Sequence, residues 1–188
     1  MKILTLQGSA RKKGNTATVL GWVEEELSRQ GHEVNGIYLH GKNLNGCMGC
    51  ARCKDVPDDV GCVQKDDIPD ILSRMTASDL VIFASPLYFW GVSAQLKAVI
   101  DRTYSLYTRY HEPDHASLLE GRRQALLVTG GGGWDNNAEA AFTAFDRMQK
   151  PHKTIHSGKL YIGKCTTPAE MDASVREQAA AFARQITA

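Results

Sequence analysis

Leu80-Val81-Ile82-Phe83-Ala84 is an unbroken apolar run between Asp79 and Ser85. A strand with one wet face alternates apolar and polar residues; this one does not. It reads as a central strand buried on both faces, the mark of a parallel sheet between two helical layers. Parallel strands need crossover connections, so helices must separate it from its neighbours.

The rest of the chain supplies them. Residues 2–7 form a first predicted strand (Ile3, Leu4, Leu6), and residues 15–30 a helix with Val19, Leu20, Val23 and Leu27 on one stripe. Asn15 or Thr16 is expected to cap that helix and Gly31 to end it. A second strand spans about residues 33–39. Asp66 and Asp67 are expected to cap a helix with Pro69 in its first turn and Ile71, Leu72 and Met75 inward. After the central strand come a helix over about 93–104, an irregular stretch to 121, and a strand over 124–129. A helix over 138–149 and a strand within 152–162 follow. Thr167-Pro168-Ala169-Glu170 reads as a capping box opening a last helix. Strand and helix alternating five times predict an open, doubly wound α/β sheet over one domain, residues 1–188.

Composition excludes several functions. A net charge of +1 gives no case for nucleic acid or an anionic membrane surface. No apolar run approaches the 18 or so residues of a membrane span. The few residues between Lys2 and Gln7 are too short for a leader's apolar core, and a cytoplasmic protein is expected.

Ligands of such sheets bind beyond the carboxyl ends of the strands. Three strand-end loops differ in chemistry. Gly8-Ser9-Ala10-Arg11-Lys12-Lys13-Gly14-Asn15-Thr16 offers hydroxyls, amides and cations at a helix start, which suits a phosphate. Pro86-Leu87-Tyr88-Phe89-Trp90-Gly91 places bulky apolar residues where a flat ring, a neighbouring helix or a subunit interface would cover them. Gly130-Gly131-Gly132-Gly133-Trp134 allows close backbone approach, or simply turns the chain. Together they describe a pocket for a phosphorylated, flat heterocycle.

At these residues the chain resembles the flavodoxin-like NAD(P)H-dependent FMN reductases. The Gly8-Ser9-x-Arg11-x-x-Gly14-Asn15-Thr16 loop, Ser85-Pro86-Leu87-Tyr88 and Lys97-x-x-x-Asp101-Arg102 carry the likeness. It implies a three-layer αβα sandwich with a five-stranded parallel sheet in the order 2-1-3-4-5. It implies FMN, its phosphate on Ser9, Arg11, Gly14, Asn15 and Thr16. The ring system would lie against Pro86, Leu87, Tyr88, Phe89, Trp90 and Gly91, with Gly130, Gly131, Gly132 and Trp134 closing the other side. NAD(P)H would reduce the flavin, which would reduce a flavin, a quinone or another small-molecule or protein acceptor. No side-chain acid, base or nucleophile is required. A homo-oligomer, dimer or tetramer, is implied, with residues 105–117 as a lid or partner surface.

The long loop at about 40–65 holds Cys47-x-x-Cys50-x-x-Cys53 and then Cys62. This spacing resembles the iron–sulfur flavoproteins of the same fold, where it holds a [4Fe–4S] cluster. Its last gap is slightly longer than theirs. A zinc site or free redox thiols fit the same residues. Three readings therefore stand: an NAD(P)H-dependent reductase, an electron carrier with FMN and a [4Fe–4S] cluster, and a non-enzymatic FMN-binding protein. Cys165 reads as a packing residue. The pairs His111/His115 and His152/His156 give little support for a metal site.

Overall fold

The computed structural model describes residues 1–56, 58–164 and 167–188; Cys165 lies outside them. Strands β1 (Lys2–Gln7), β2 (Glu33–Tyr38), β3 (Leu80–Pro86), β6 (Arg123–Thr129) and β7 (Ile155–Ile162) form one parallel sheet, ordered β2-β1-β3-β6-β7. Helices α1 (Asn15–Arg29), α2 (Ile68–Thr76), α3 (Ala94–Arg102), α4 (Glu139–His152) and α5 (Ala173–Thr187) connect and flank it. A two-stranded antiparallel piece, β4 (Tyr107–Thr108) and β5 (Ala116–Ser117), lies in the stretch expected to be irregular. With that piece set aside, the strand order is the 2-1-3-4-5 implied by the family resemblance.

The central run explains the layering. Leu80, Ile82 and Ala84 face Val19, Leu20, Val23 and Leu27 of α1 and Phe182 and Ile186 of α5. Val81 and Phe83 face the opposite way, toward Ile71 and Met75 of α2, Leu96 and Val99 of α3, and Phe142 and Phe145 of α4. Successive side chains of one strand thus enter different cores. Register is specified strongly, because a one-residue slip would exchange both sets. β1 sits beside β3 with Leu4 opposite Val81 and Leu6 opposite Phe83.

Several boundaries differ from expectation. Gly14, not Asn15 or Thr16, is the N-cap of α1, and no side chain caps that helix; the Thr16 hydroxyl is instead 2.8 Å from that of Thr129. At α2 the Asp66 carboxylate accepts from the Ile68 amide at 3.1 Å, while Asp67 accepts from Asn43 N at 2.8 Å. The Thr167–Glu170 box closes only a 3-10 turn, and α5 starts at Ala173, capped by Asp172 through the amides of Ser174 and Val175.

Helix α4 runs past Gln149 and through Pro151 before Lys153 stops it in the left-handed region, φ 53°. His152 therefore ends a helix rather than entering a strand. It is buried, with Nδ1 2.8 Å from Ser117 Oγ and Nε2 3.0 Å from Thr103 Oγ1, and it stacks on Tyr107 at 4.2 Å. Ser117 Oγ accepts from Leu119 N, and Thr103 Oγ1 donates to the Ile100 carbonyl. A neutral imidazole protonated at Nε2 satisfies all four groups. Burial and then the Lys54 charge lower its pKa from 6.5 to about 4.

The unfolded chain therefore takes up a proton on this histidine between pH 6.5 and about 4 while the folded chain does not. Stability is expected to fall with pH through that window, by about 3 kcal/mol at its lower end. His152→Gln should flatten this part of a urea-unfolding pH profile. An unchanged slope would place the titration elsewhere.

Candidate functional site

The switch point of the sheet lies between β1 and β3, whose chains leave in opposite directions. Gly8 N donates to the Ala84 carbonyl at 2.7 Å, tying the two strand ends together. A Cβ at Gly8 would lie 2.7 Å from Ser93 Oγ and 3.1 Å from the Ala84 carbonyl oxygen, so only glycine lets α3 start this close.

Beside it a cleft of about 300 Å³ is lined by Ser9, Arg11, Gly14, Asn15, Thr16, Pro86, Leu87, Tyr88, Thr129, Gly130 and Gly131. All three strand-end loops contribute. The Ser9 and Thr16 side chains are buried, and Ser9 Oγ accepts from Arg11 N at 3.2 Å, shaping the turn. Tyr38 braces the same turn by donating to the Ala10 carbonyl at 2.7 Å. Helix α1 begins here with no side-chain cap and no acidic residue in its first turn. The positive end of its dipole is therefore not neutralised by a carboxylate. Hydroxyls, an arginine and a helix start suit a phosphate dianion; Pro86, Leu87 and the thin backbone of Gly130 and Gly131 suit a flat ring. These residues fit FMN.

Thr129 was not among the residues the sequence pointed to. It ends β6 directly before the glycine run, a strand-end position that marks it in retrospect.

Other residues of the three loops lie elsewhere. Tyr88 and Gly91 exchange both backbone hydrogen bonds, at 2.9 and 3.0 Å, closing a two-residue hairpin over Phe89 and Trp90. Both tip residues have positive φ, 45° and 61°, as a type I′ turn requires. Phe89 is 94% exposed. With Trp90, Gly91, Ile100, Phe145 and Met148 it borders a separate groove of about 400 Å³ beside α3 and α4. Aromatic residues in this conformation cost about 1–3 kcal/mol each. Phe89→Asn/Trp90→Gly is expected to stabilise the apoprotein by about 2 kcal/mol or more, read as a higher thermal midpoint. A midpoint that stays or falls would mean that the rings contribute packing exceeding the strain.

Gly132 and Trp134 turn toward β7. The Gly132 carbonyl accepts from Tyr161 Oη at 2.8 Å and from Lys164 N at 3.2 Å. Trp134 packs on Phe142 at 4.9 Å and on Tyr161 at 5.9 Å. Neither residue lines the cleft.

Cys47, Cys50, Cys53 and Cys62 line one small hollow with Met48, Arg102 and Tyr104. A Cβ at Gly61 would sit 2.8 Å from the Cys53 carbonyl oxygen, so glycine is what lets the returning limb of this loop pass so close. Gly49, in the left-handed region at φ 65°, donates its amide to Cys47 Sγ at 3.5 Å. Among the described residues no three thiol, imidazole or carboxylate groups converge on a point that a single metal ion would occupy. Each thiolate of a cubane binds a different iron, so that arrangement needs sulfurs spread around a volume rather than meeting at one point. The donor set fits such a cluster.

Two cations flank the hollow. Lys54 Nζ donates to the Tyr104 carbonyl and, at 2.9 Å, to that of Tyr107, and lies 4.0 Å from the Tyr104 ring centre. Burial pushes its pKa down, against the charges of Cys53 and Cys47. Burial likewise pushes the Cys53 thiol up, against Lys54. Arg102 is the second cation. Its side chain is 1% exposed and that of its partner Asp66 is fully buried. Nη1 donates to Asp66 Oδ2 at 2.9 Å and to the Asn45 carbonyl at 3.0 Å; Nη2 donates to Asp66 Oδ1 at 3.1 Å. Burial opposes the charge on Arg102, but Asp66 and the Cys62 thiol outweigh it and raise its pKa. The sequence showed Arg102 only as part of a helix pattern; its pairing with Asp66 joins residues 36 positions apart.

The NADPH-dependent FMN reductase family model matches residues 1–166. An iron–sulfur flavoprotein of Methanocaldococcus jannaschii is 40% identical over 111 residues, 56% of this chain and 53% of that protein. The alignment thus spans about half the length of that relative. An iron–sulfur flavoprotein of Methanosarcina thermophila is 27% identical over 92% of this chain and 86% of its own length. The NAD(P)H:quinone oxidoreductase structure from Methanothermobacter marburgensis superposes with a TM-score of 0.69, covering 98% of this chain and 95% of that one at 18% identity, a likeness of fold. With the family model covering all three strand-end loops, the chain belongs to the NADPH-dependent FMN reductase family.

Proposed function

We propose that residues 1–188 act as one FMN-binding unit that takes electrons from NAD(P)H and passes them to a small-molecule or protein acceptor. The convergence of three strand-end loops on one cleft at the switch point carries this reading. FMN supplies the redox chemistry when bound; the protein positions it and sets its electrostatics. Ser9, Arg11, Asn15 and Thr16 would hold the phosphate, with the α1 dipole behind them. Pro86, Leu87, Tyr88, Gly130 and Gly131 would border the ring and exclude water from the faces they cover. Thr129 would orient Thr16 through their hydroxyl contact. Among the described residues no titratable side chain lines the cleft except Arg11 and Tyr88, in keeping with chemistry that the cofactor supplies.

The acceptor reading extends to a [4Fe–4S] cluster on Cys47, Cys50, Cys53 and Cys62, favoured by the thiols gathered around one hollow beside a buried arginine. The names of the related iron–sulfur flavoproteins agree with it. No helix among the described residues is long and apolar enough to cross a membrane. The exposed Phe89–Trp90 hairpin and its groove favour a homo-oligomer.

The test is anaerobic. NADH or NADPH is added to FMN-loaded protein, and the flavin absorbance is followed. Bleaching within seconds is expected; a flavin that stays oxidised with both nucleotides would overturn the reductase reading. Iron and sulfide analysis of the same sample tests the cluster independently.

A further inference from the structure

We propose that Arg102 serves the thiol hollow as a fixed buried cation, donating its Nε–H toward the sulfurs and thereby favouring the more electron-rich state of a cluster held there. This inference rests on the [4Fe–4S] reading above.

Both terminal nitrogens of Arg102 are committed to Asp66 and the Asn45 carbonyl. Three of its five N–H groups are thereby used; one Nη2–H and the Nε–H remain, and Nε is the nitrogen of the guanidinium that makes none of these bonds. Nε is buried and no protein nitrogen or oxygen accepts from it; the other side chain acting on the guanidinium, besides Asp66, is the Cys62 thiol of the hollow. A buried donor left unmade is costly, more so on a charged group. Arg102 and the four cysteines line the same hollow. Asp66 does not line it: its carboxylate is turned to Asn45 N at 3.0 Å, Asn45 Nδ2 at 3.3 Å and Ile68 N at 3.1 Å. The ion pair therefore presents its positive end to the sulfurs and its negative end to the base of the loop. Lys54, the other nearby cation, gives two of its three donors to the carbonyls of Tyr104 and Tyr107.

The redox step is simple to balance. One electron, delivered by a low-potential one-electron donor, converts the oxidised cube to the reduced one; no bond breaks and no proton moves. With four thiolates the complex passes from a dianion to a trianion. A fixed cation favours the trianion, and hydrogen bonds to sulfur act in the same direction. Asp66 opposes it from farther away. Removing the cation and removing its counter-charge must then shift the couple in opposite senses. A purely structural strut predicts no such reversal.

The experiment uses protein reconstituted anaerobically with iron and sulfide, loaded with FMN and titrated with dithionite and mediator dyes under EPR. In Arg102→Gln the ratio of reduced to oxidised cluster at fixed potential should fall about tenfold, equivalent to about 59 mV for one electron. In Asp66→Asn the ratio should rise, and Arg102→Lys should restore most of the wild-type value. Loaded variants with unchanged ratios, or Arg102→Gln and Asp66→Asn shifted in the same sense, would overturn the role. Should a variant not fold or load, wild-type protein grown on 15N-arginine decides: pulsed EPR of the reduced cluster should show coupling to an arginine nitrogen, and no coupling refutes the inference. A wild-type protein that takes up no iron and sulfide refutes it together with the cluster reading. A normal cluster with unshifted variants refutes the role of Arg102 alone.

Discussion

Asp66→Ala is expected to destabilise the apoprotein by about 3–5 kcal/mol, read as a lower urea midpoint. The Asp66 side chain is fully buried and accepts from both Nη atoms of Arg102, from both nitrogens of Asn45 and from the Ile68 amide. Alanine leaves a guanidinium buried without its counter-charge. It also uncouples the start of the cysteine loop from α2 and α3. Asp66→Ala/Arg102→Met should recover much of the loss, because the cost lies mainly in the unpaired charge. Equal losses in the single and double variants would show instead that the loop bracing dominates. Acid should act in the same direction. Burial raises the pKa of Asp66, but Arg102 and the amides outweigh it and hold it below the ordinary 3.8. The contribution is present above that value and is lost as pH falls through the lower, folded-state pKa.

Asn15→Ala/Thr16→Val is expected to weaken FMN binding by about 10²- to 10⁴-fold, with helix content retained. Each hydrogen bond to a charged group contributes about 1.5–3 kcal/mol, so two account for about 3–6. Thr16→Val also removes the partner 2.8 Å from Thr129 Oγ1 and so loosens the wall of the cleft. Recovery of free-flavin fluorescence on titration measures the dissociation constant. An unchanged constant would move the phosphate away from this loop, whereas weaker binding with a normal circular-dichroism spectrum would support the assignment.

The two sites differ in how far they can be read from the chain alone. The first loop, the aromatic stretch and the glycine run each follow a strand in sequence, and the sheet topology brings strand ends together. Ser9, Arg11, Asn15, Thr16, Pro86, Leu87, Tyr88, Gly130 and Gly131 could therefore be named in advance, and all line one cleft. Phe89, Trp90 and Gly91 belong to the same loop but not to that cleft. A hairpin one turn wide sends the tip out to solvent, and loop composition carries no record of that turn. Gly132 and Trp134 were drawn off by Tyr161, a residue of the next strand.

Layering was determined by the sequence itself, because an apolar run without alternation admits only a sheet covered on both faces, whereas the strand order was legible only through the family resemblance. The cysteine spacing likewise marked four thiols as one group. Tertiary structure alone decided what stands beside them. Asp66 closes the loop, Arg102 ends α3, and the two meet only because α2 and α3 pack on the same face of the sheet. A buried ion pair has no sequence signature, since its members look like ordinary helix-end charges until desolvation makes each depend on the other.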